Sequence, residues 1–208
     1  MIEIYTDGAC KGNGKSDAIG GWGYHVIDRH STKNLKEDFG GTVGTTNNRM
    51  ELQAAVEALK FAATLSTNEK MRVRIHTDSN YVYKGITTWI HGWIRKDWKD
   101  VKNVDLWKEL DSLNDDVYDW NWVKAHVGHE ENEYADELAN KGCEIALLPE
   151  IVTMPTERER FIQSLMLIYN TSYEKVNNLF DMYLNAKEVN KNSLTQLIFL
   201  TIMSDKNL

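Results

Sequence analysis

Residues 1–14 read MIEIYTDGACKGNG, and residues 71–80 read MRVRIHTDSN. Each stretch alternates apolar and polar residues, as a β-strand does, and then delivers an aspartate directly behind a threonine: Asp7 and Asp78. In an α/β sheet, functional side chains gather where strands end. If the two strands are neighbours, the two carboxylates lie side by side, where charges about 4 Å apart repel by about 4 kcal/mol. The alternative is that each aspartate only stabilises a turn, since Asp-Gly and Asp-Ser are ordinary turn sequences.

The order of the predicted elements indicates an α/β fold with a mixed sheet. Three strands joined by short turns come first, and such turns favour antiparallel hairpins. A helix then leads to a fourth strand, and this crossover implies a parallel neighbour. Asn48 is the predicted N-cap of the first helix, and Gly142 is predicted to lie beyond the end of the last. The predicted strands are 2–6, 20–28, 35–39, 71–77 and 118–126, and the predicted helices are 45–65, pieces of 79–99, 104–115 and 131–141.

The composition is typical of a globular protein without a membrane span. Of 208 residues, 42% are hydrophobic and 26% are charged. No run of about eighteen apolar residues occurs, and the first residues do not form a secretory signal, so we expect a cytoplasmic protein. Two cysteines, Cys10 and Cys143, are too few for a disulfide framework or a zinc site. The net charge of −7 argues against simple phosphate binding, although a metal site consumes carboxylates and a basic patch can be local.

The two prolines, Pro149 and Pro155, mark a change in the sequence pattern. We predict a first domain over 1–148, a linker over 149–155 and a small all-helical C-terminal domain over 156–208. The C-terminal domain has no basic face, so we expect it to serve packing, self-association or binding to a protein partner. A nucleic-acid role is the alternative.

Three further residues are candidates for a site beside Asp7 and Asp78, and each has a simpler interpretation. Glu51 follows the predicted N-cap by three residues and suits a capping box. Asp136 is expected in the first turn of the last helix, where it suits the helix dipole. His126 lies in a loop, where a histidine is usually a polar surface residue, and its spacing to His129 is only a weak zinc signal. Together, four acids and a histidine at element ends favour a site for a hard cation such as Mg²⁺.

Five stretches recur in a characteristic order and spacing: YTDGACKGN, TTNNRMELQAAVEAL, HTDSNYVYKGITTWIHGW, VKNVDLWKEL and VKAHVGHEENEYADELA. Over about residues 1–145 the chain therefore resembles the type 1 ribonuclease H family. The resemblance implies a ribonuclease H-like five-stranded mixed sheet flanked by helices. It also implies an endoribonuclease that hydrolyses the RNA strand of RNA–DNA hybrids by two-metal-ion cleavage, leaving 5′-phosphate and 3′-hydroxyl ends.

The resemblance also implies the roles of individual residues. The family's metal-binding carboxylates, which would hold two Mg²⁺ ions with Mn²⁺ as a substitute, fall on Asp7, Glu51, Asp78 and Asp136. Its mobile catalytic histidine falls on His126. The family often has glutamine where this chain has Asn80, which keeps the amide but shortens its reach. Residues implied to contact the hybrid are Cys10, Asn13, Asn47, Asn48, Asn80 and Asn132.

Residues 89–102, WIHGWIRKDWKDVK, resemble the family's basic protrusion, which grips the DNA strand. We call this stretch the basic segment. Its four cations are partly offset by Asp97 and Asp100, which leaves +2, so weak and salt-sensitive hybrid binding is expected. The simpler interpretation is a core helix with a solvated charged edge. The expected hybrid contacts here are Trp89, Trp93, Arg95, Lys96 and Lys99.

Two other functions remain open from the sequence. One is a different nuclease on the same scaffold, such as a recombination nuclease or transposase core, against which the NNRMEL and GHEENE stretches weigh. The other is a non-catalytic nucleic-acid-binding module, against which the four intact acids weigh.

Overall fold

A computed structural model describes residues 1–65, 72–125 and 128–146. The strands are β1 (Ile2–Lys11), β2 (Ile19–Asp28), β3 (Lys33–Val43), β4 (Val73–Thr77) and β5 (Tyr118–Trp122). The helices are α1 (Asn47–Thr64), α2 (Asn80–Lys84), a π-helical turn (Gly85–Trp89), α3 (Ile90–Arg95), α4 (Val104–Leu113) and α5 (Glu130–Ile145). The predicted linker (149–155) and helical domain (156–208) lie outside the described residues and stay predictions, as does the domain boundary. Within the described ranges, no helix is long and apolar enough to cross a membrane.

The five strands form one mixed sheet in the order β3-β2-β1-β4-β5. β1 pairs antiparallel with β2, and β2 pairs antiparallel with β3. β4 pairs parallel with both β1 and β5. The predicted five-stranded mixed sheet is therefore confirmed, and β1 and β4 are central neighbours whose carboxyl ends meet at one edge.

The first hairpins are longer than predicted. β1 continues past Thr6 to Lys11 because it stays paired with β2 from Ile2↔Asp28 to Lys11↔Ile19. β3 likewise extends to both sides of the predicted 35–39. Glycines near strand ends predicted early turns, but continuous pairing with the neighbouring strand keeps this backbone extended.

One face of the sheet packs against α1, and α4 packs against α1 in the same core. Alternate strand residues such as Ile4, Val26 and Ile75 are fully buried there. They belong to one core cluster with α1 residues, including Leu52, and with Trp107 of α4. This apolar contact fixes α1 over β1, which decides where the acid on α1 lies.

The opposite face packs against α5 at unusually close range. Tyr5, Ile27 and Ala135 form a small core cluster between sheet and helix. A Cβ on Gly142 would lie 2.2 Å from the carbonyl oxygen of Gly40. The prediction that Gly142 lies beyond the helix was wrong: it lies inside α5, since only glycine lets the helix approach β3 this closely.

We expect Gly142→Ala to lower the free energy of unfolding by about 1–3 kcal/mol, because the added methyl group meets backbone that cannot move aside easily. Gly92→Ala is the matched control: Gly92 is also helical, but its Cβ would meet nothing within 4 Å. Alanine should stabilise that position by roughly 0.5–1 kcal/mol. Urea unfolding of both variants measures the difference, and equal effects would contradict the close approach.

Candidate active site

The first two acids come from adjacent parallel strands. Thr6 of β1 pairs with Thr77 of β4, so Asp7 and Asp78 follow at equivalent positions. Asp7 is buried, at 6% exposure, and its Oδ1 accepts a 2.6 Å hydrogen bond from the backbone N–H of Gly8. Asp78 is half-buried at the same edge. Strand order alone therefore places two carboxylates together.

Glu51 reaches these aspartates from α1. A Cβ on Gly8 would lie 2.2 Å from the backbone nitrogen of Glu51, so glycine permits the contact between strand and helix. Potential ligand oxygens of Asp7, Glu51 and Asp78 all lie within 4.8 Å of one another. We call these three residues the carboxylate cluster.

The capping-box interpretation of Glu51 was wrong. The N-cap of α1 is Thr46 rather than Asn48, and its side chain accepts from the backbone N–H of Arg49. Glu51 instead points inward, at 6% exposure, and its Oε1 accepts from the Asn47 side-chain amide at 3.3 Å. Its buried Oε2 has no hydrogen-bond partner among the described residues.

Asp136 lies near the carboxylate cluster but is not part of the 4.8 Å group. Since α5 begins at Glu130, Asp136 falls beyond the first turn, so the helix-dipole interpretation was wrong. Its Oδ1 accepts a 3.2 Å hydrogen bond from the Asn140 amide. Its negative charge contributes to the raised pKa of Asp7, so it acts on the same site electrostatically.

Burial and mutual repulsion disfavour the charged forms of the carboxylate cluster. Burial, followed by the charges of Asp78 and Asp136, raises the pKa of Asp7 to about 8. Burial, followed by the charges of Asp7 and Asp78, raises the pKa of Glu51 well above its ordinary value. Clustered anions of this kind are stabilised by a cation, and carboxylate oxygens are the ligands that hard divalent ions prefer. The unpartnered Oε2 of Glu51 also fits an ion.

Two residues donate hydrogen bonds to Asp78 and fix its position. Asn132 is 2% exposed and donates its amide Nδ2 to Asp78 Oδ2 at 3.2 Å. Trp122, which pairs with Thr77 at the end of β5, donates its indole N–H to the Asp78 carbonyl oxygen at 2.9 Å. Sequence reasoning expected Asn132 near the site but as a hybrid contact, and it missed Trp122. The position of Trp122 at the last residue of a neighbouring strand is the signal that could have found it.

The remaining predicted contacts in the first half of the chain surround the start of α1. Asn13 Oδ1 accepts from the Asn47 backbone N–H at 3.2 Å, which ties the β1–β2 loop to α1. Asn48 and Asn80 are exposed at the starts of α1 and α2. The half-buried thiol of Cys10 lies 3.9 Å from the Thr45 carbonyl oxygen. These residues are therefore distributed around the carboxylate cluster along one edge of the sheet.

The basic segment forms one wall of a groove of about 820 Å³. Its Trp93 packs against Trp107, with ring centroids 5.1 Å apart, whereas Trp89 remains 39% exposed. Arg95, Lys96 and Lys99 are exposed. Packed tryptophans and solvated cations thus occur together in the basic segment. The groove is lined by Asn48, Tyr81, Trp93, Lys96, Lys99, Asp100, Val101, Lys102 and Asn103.

Comparison with known proteins now places the chain. The family model described as RNase H matches residues 1–144. The chain belongs to the ribonuclease H family. The resemblance that the sequence motifs indicated is confirmed. Members of the ribonuclease H family depend on divalent metal, and the carboxylate cluster supplies suitable oxygen ligands.

Relatives within the ribonuclease H family are similar along the same region. Ribonuclease H of Chromobacterium violaceum is 51% identical over 150 residues, which make up 69% of this chain and 95% of that protein. The crystal structure of LC9-RNase H1, a type 1 RNase H with the type 2 active-site motif, matches with a TM-score of 0.61 at 32% identity, covering 70% of this chain and 72% of that one. LC11-RNase H1, in complex with RNA/DNA hybrid, matches with a TM-score of 0.53 at 23% identity, covering 71% of this chain and 99% of that one. The last match supports the fold alone.

The predicted catalytic histidine, His126, lies outside the described residues. It falls between β5 and α5, the elements that carry Trp122 and Asp136. Its role in this ribonuclease H-family protein therefore stays a prediction.

We expect Glu51→Gln to stabilise the metal-free protein by about 1–2 kcal/mol at pH 8, because it removes a buried, repelled charge. The pKa of Glu51 is raised in the folded state, so the charged form destabilises the fold at high pH. The gain should therefore shrink as pH falls and Glu51 becomes protonated. Thermal unfolding in EDTA across pH measures it.

Glu57→Gln is the matched control, since Glu57 lies on the same helix but pairs with Lys60 at 2.9 Å. It should bring no such gain. Mg²⁺ should raise the melting temperature of the parent and not of Glu51→Gln. A Glu51→Gln protein that is less stable than its parent in EDTA at pH 8 would contradict the geometry of the carboxylate cluster.

Proposed function

We propose that this protein is an endoribonuclease that hydrolyses the RNA strand of RNA–DNA hybrids and leaves 5′-phosphate and 3′-hydroxyl ends. The observation that carries the proposal is the carboxylate cluster: three acids from β1, α1 and β4 with ligand oxygens within 4.8 Å of one another. Membership of the ribonuclease H family, and relatives named Ribonuclease H at about half identity along the same region, support this activity.

Asp7, Glu51 and Asp78 would hold divalent ions, with Asp136 completing the set from α5. Mg²⁺ is the proposed ion and Mn²⁺ a substitute, since all the candidate ligands are carboxylate oxygens. When bound, a pair of such ions supplies charge neutralisation and an activated water for phosphodiester hydrolysis. The chain itself contributes a rigid frame, since Asp78 is held by Asn132 and Trp122. His126 is proposed to handle protons or assist product release.

Hybrid recognition is proposed to use sugar and groove shape rather than base identity. We propose that the RNA strand is distinguished by its 2′-hydroxyls, through contacts with side chains around the starts of α1 and α2. These side chains are Cys10, Asn13, Asn47, Asn48 and Asn80. On the DNA strand, the exposed cations of the basic segment would contact phosphates. Trp89 and Trp93 complete this proposed surface, while the buried Asn132 would act through Asp78.

Cytoplasmic location and a protein partner or self-association through 156–208 also stay proposals. A version of the chain that ends near residue 149 tests the second. If the C-terminal segment carries only partner binding, truncation should leave hybrid cleavage intact and change the oligomeric state or partner capture.

We expect Asp78→Asn to abolish turnover and leave the fold intact, because it removes one ligand charge and keeps the size of the side chain. The parent and variant are incubated with labelled RNA–DNA hybrid, double-stranded RNA, double-stranded DNA and single strands, with Mg²⁺ or EDTA. The parent should cut only RNA in the hybrid, and only with metal. Normal activity in Asp78→Asn would refute the site, and cutting of double-stranded DNA would favour a recombination-type nuclease.

We expect Lys96→Ala and Lys99→Ala each to raise KM for hybrid and to reduce the slope of log affinity against log salt by about 1, because each removes one phosphate contact. The rate at saturating substrate should change little. Lys33→Ala on the exposed edge strand β3 is the matched control for loss of one positive charge. If all three variants behave alike, only net charge matters and the groove is not the binding surface.

A further inference from the structure

A small network of polar contacts holds the chain between α3 and α4, which we call the return. After α3 the chain makes tight turns in which Asp97, Trp98 and Asp100 take left-handed conformations. It then reaches Asn103, also left-handed at φ 59°, directly before α4. Such turns are easily displaced unless side chains fix them, so the contacts of this return decide where the lysines lie.

Tyr81 fixes the return from the side of α2. Its hydroxyl donates to the Lys102 carbonyl oxygen at 3.3 Å and accepts from the Asn103 amide at 3.2 Å and from the Trp107 indole at 2.9 Å. One hydroxyl thus uses its one donor and two acceptor positions on both sides of the turn. Tyr81 lies on α2, close in sequence to the cluster residue Asp78.

Arg49 fixes the same return from the side of α1. Its two terminal nitrogens bind the Asp105 carboxylate at 3.0 and 2.6 Å, a two-pronged geometry that specifies direction as well as distance. One of these nitrogens also lies 3.5 Å from Asn103 Oδ1. Arg49 lies on the first turn of α1, two residues before Glu51 of the carboxylate cluster.

We infer that Asp105, acting through Arg49, is a positioning residue that holds the basic segment at a set distance from the carboxylate cluster, so that the DNA strand is gripped in register with the cut in the RNA strand. The inference rests on the proposed function. Arg49, Tyr81, Asn103 and Asp105 form what we call the return clamp. It connects the lysine-bearing turn to α1, which carries Glu51, and to α2, which follows Asp78.

An ordinary surface ion pair is the competing explanation, since Asp105 is 61% exposed and exposed pairs contribute little to stability. The two explanations predict opposite effects of Asp105→Asn on the affinity for hybrid. Asp105→Asn removes a negative charge beside the groove, so charge alone predicts equal or tighter binding of a polyanion. Loss of position predicts weaker binding.

The experiment measures binding of a fluorescent RNA–DNA hybrid in EDTA by anisotropy, with the full chain, Asp105→Asn and Asp111→Asn. Asp111 is on the same helix, and its carboxylate makes no ion pair within the described part of the chain, so its variant matches the charge change. We expect a Kd raised roughly threefold to tenfold for Asp105→Asn and unchanged or lowered for Asp111→Asn. Asp105→Glu should restore binding to within about twofold, since it keeps the charge.

Turnover with Mg²⁺ separates position from folding. Asp105→Asn should raise KM by the same factor while kcat stays within about twofold and the melting temperature stays close to that of the parent. Binding by Asp105→Asn as tight as the parent, or tighter, would overturn the return clamp. A parent protein that neither binds nor cuts hybrid would instead overturn the proposed function.

Discussion

The whole site depends on one close approach between backbones, where β1 at Gly8 meets α1 at Glu51. Any side chain at Gly8 would overlap the helix, because its first carbon would lie 2.2 Å from the Glu51 nitrogen. Leu52, the next residue along α1, belongs to the apolar core that joins this helix to the sheet and so holds α1 in place. Glu51 is thus forced toward two aspartates whose strands pair in parallel. Core packing therefore sets the distances within the carboxylate cluster.

Burying these carboxylates together lowers the stability of the metal-free fold and prepares a site for a cation. The hydrophobic contacts of α1 overcome the repulsion that raises the pKa of Asp7 and of Glu51. In a metal-free chain those carboxyls are driven toward protonation, and a divalent cation reverses the preference. Metal binding and fold stability are consequently linked, and the same side chains that weaken the empty protein give the site its affinity for a cation.

Sequence pattern predicted the α/β class with a mixed sheet, because the class depends on local periodicity and connection length. The motifs and their spacing indicated the family, and the resemblance to the family, rather than periodicity, implied the five-stranded sheet in which Asp7 and Asp78 are neighbours. It failed where tertiary contact overrides a local rule. Glycine usually ends a helix, yet Gly142 lies within one because a sheet passes beside it. Glu51 follows the spacing of a capping box, yet it is drawn inward by the packing of α1. The support of Asp78 by Trp122 and Asn132 joins three separate elements, and no periodicity reports such a contact.

The negative net charge is compatible with a polyanionic substrate because of where the charges lie. The net charge is −7. The four carboxylates proposed to bind metal contribute to it, and two divalent ions would offset their charge. The cations of the basic segment are exposed along one groove, within reach of phosphates over about one Debye length, near 8 Å at physiological salt. Beyond that distance the protein as a whole repels nucleic acid. Association must then depend on short-range fit between groove and duplex, so the geometry of the lysine-bearing turn matters more here than in a protein with a large positive field.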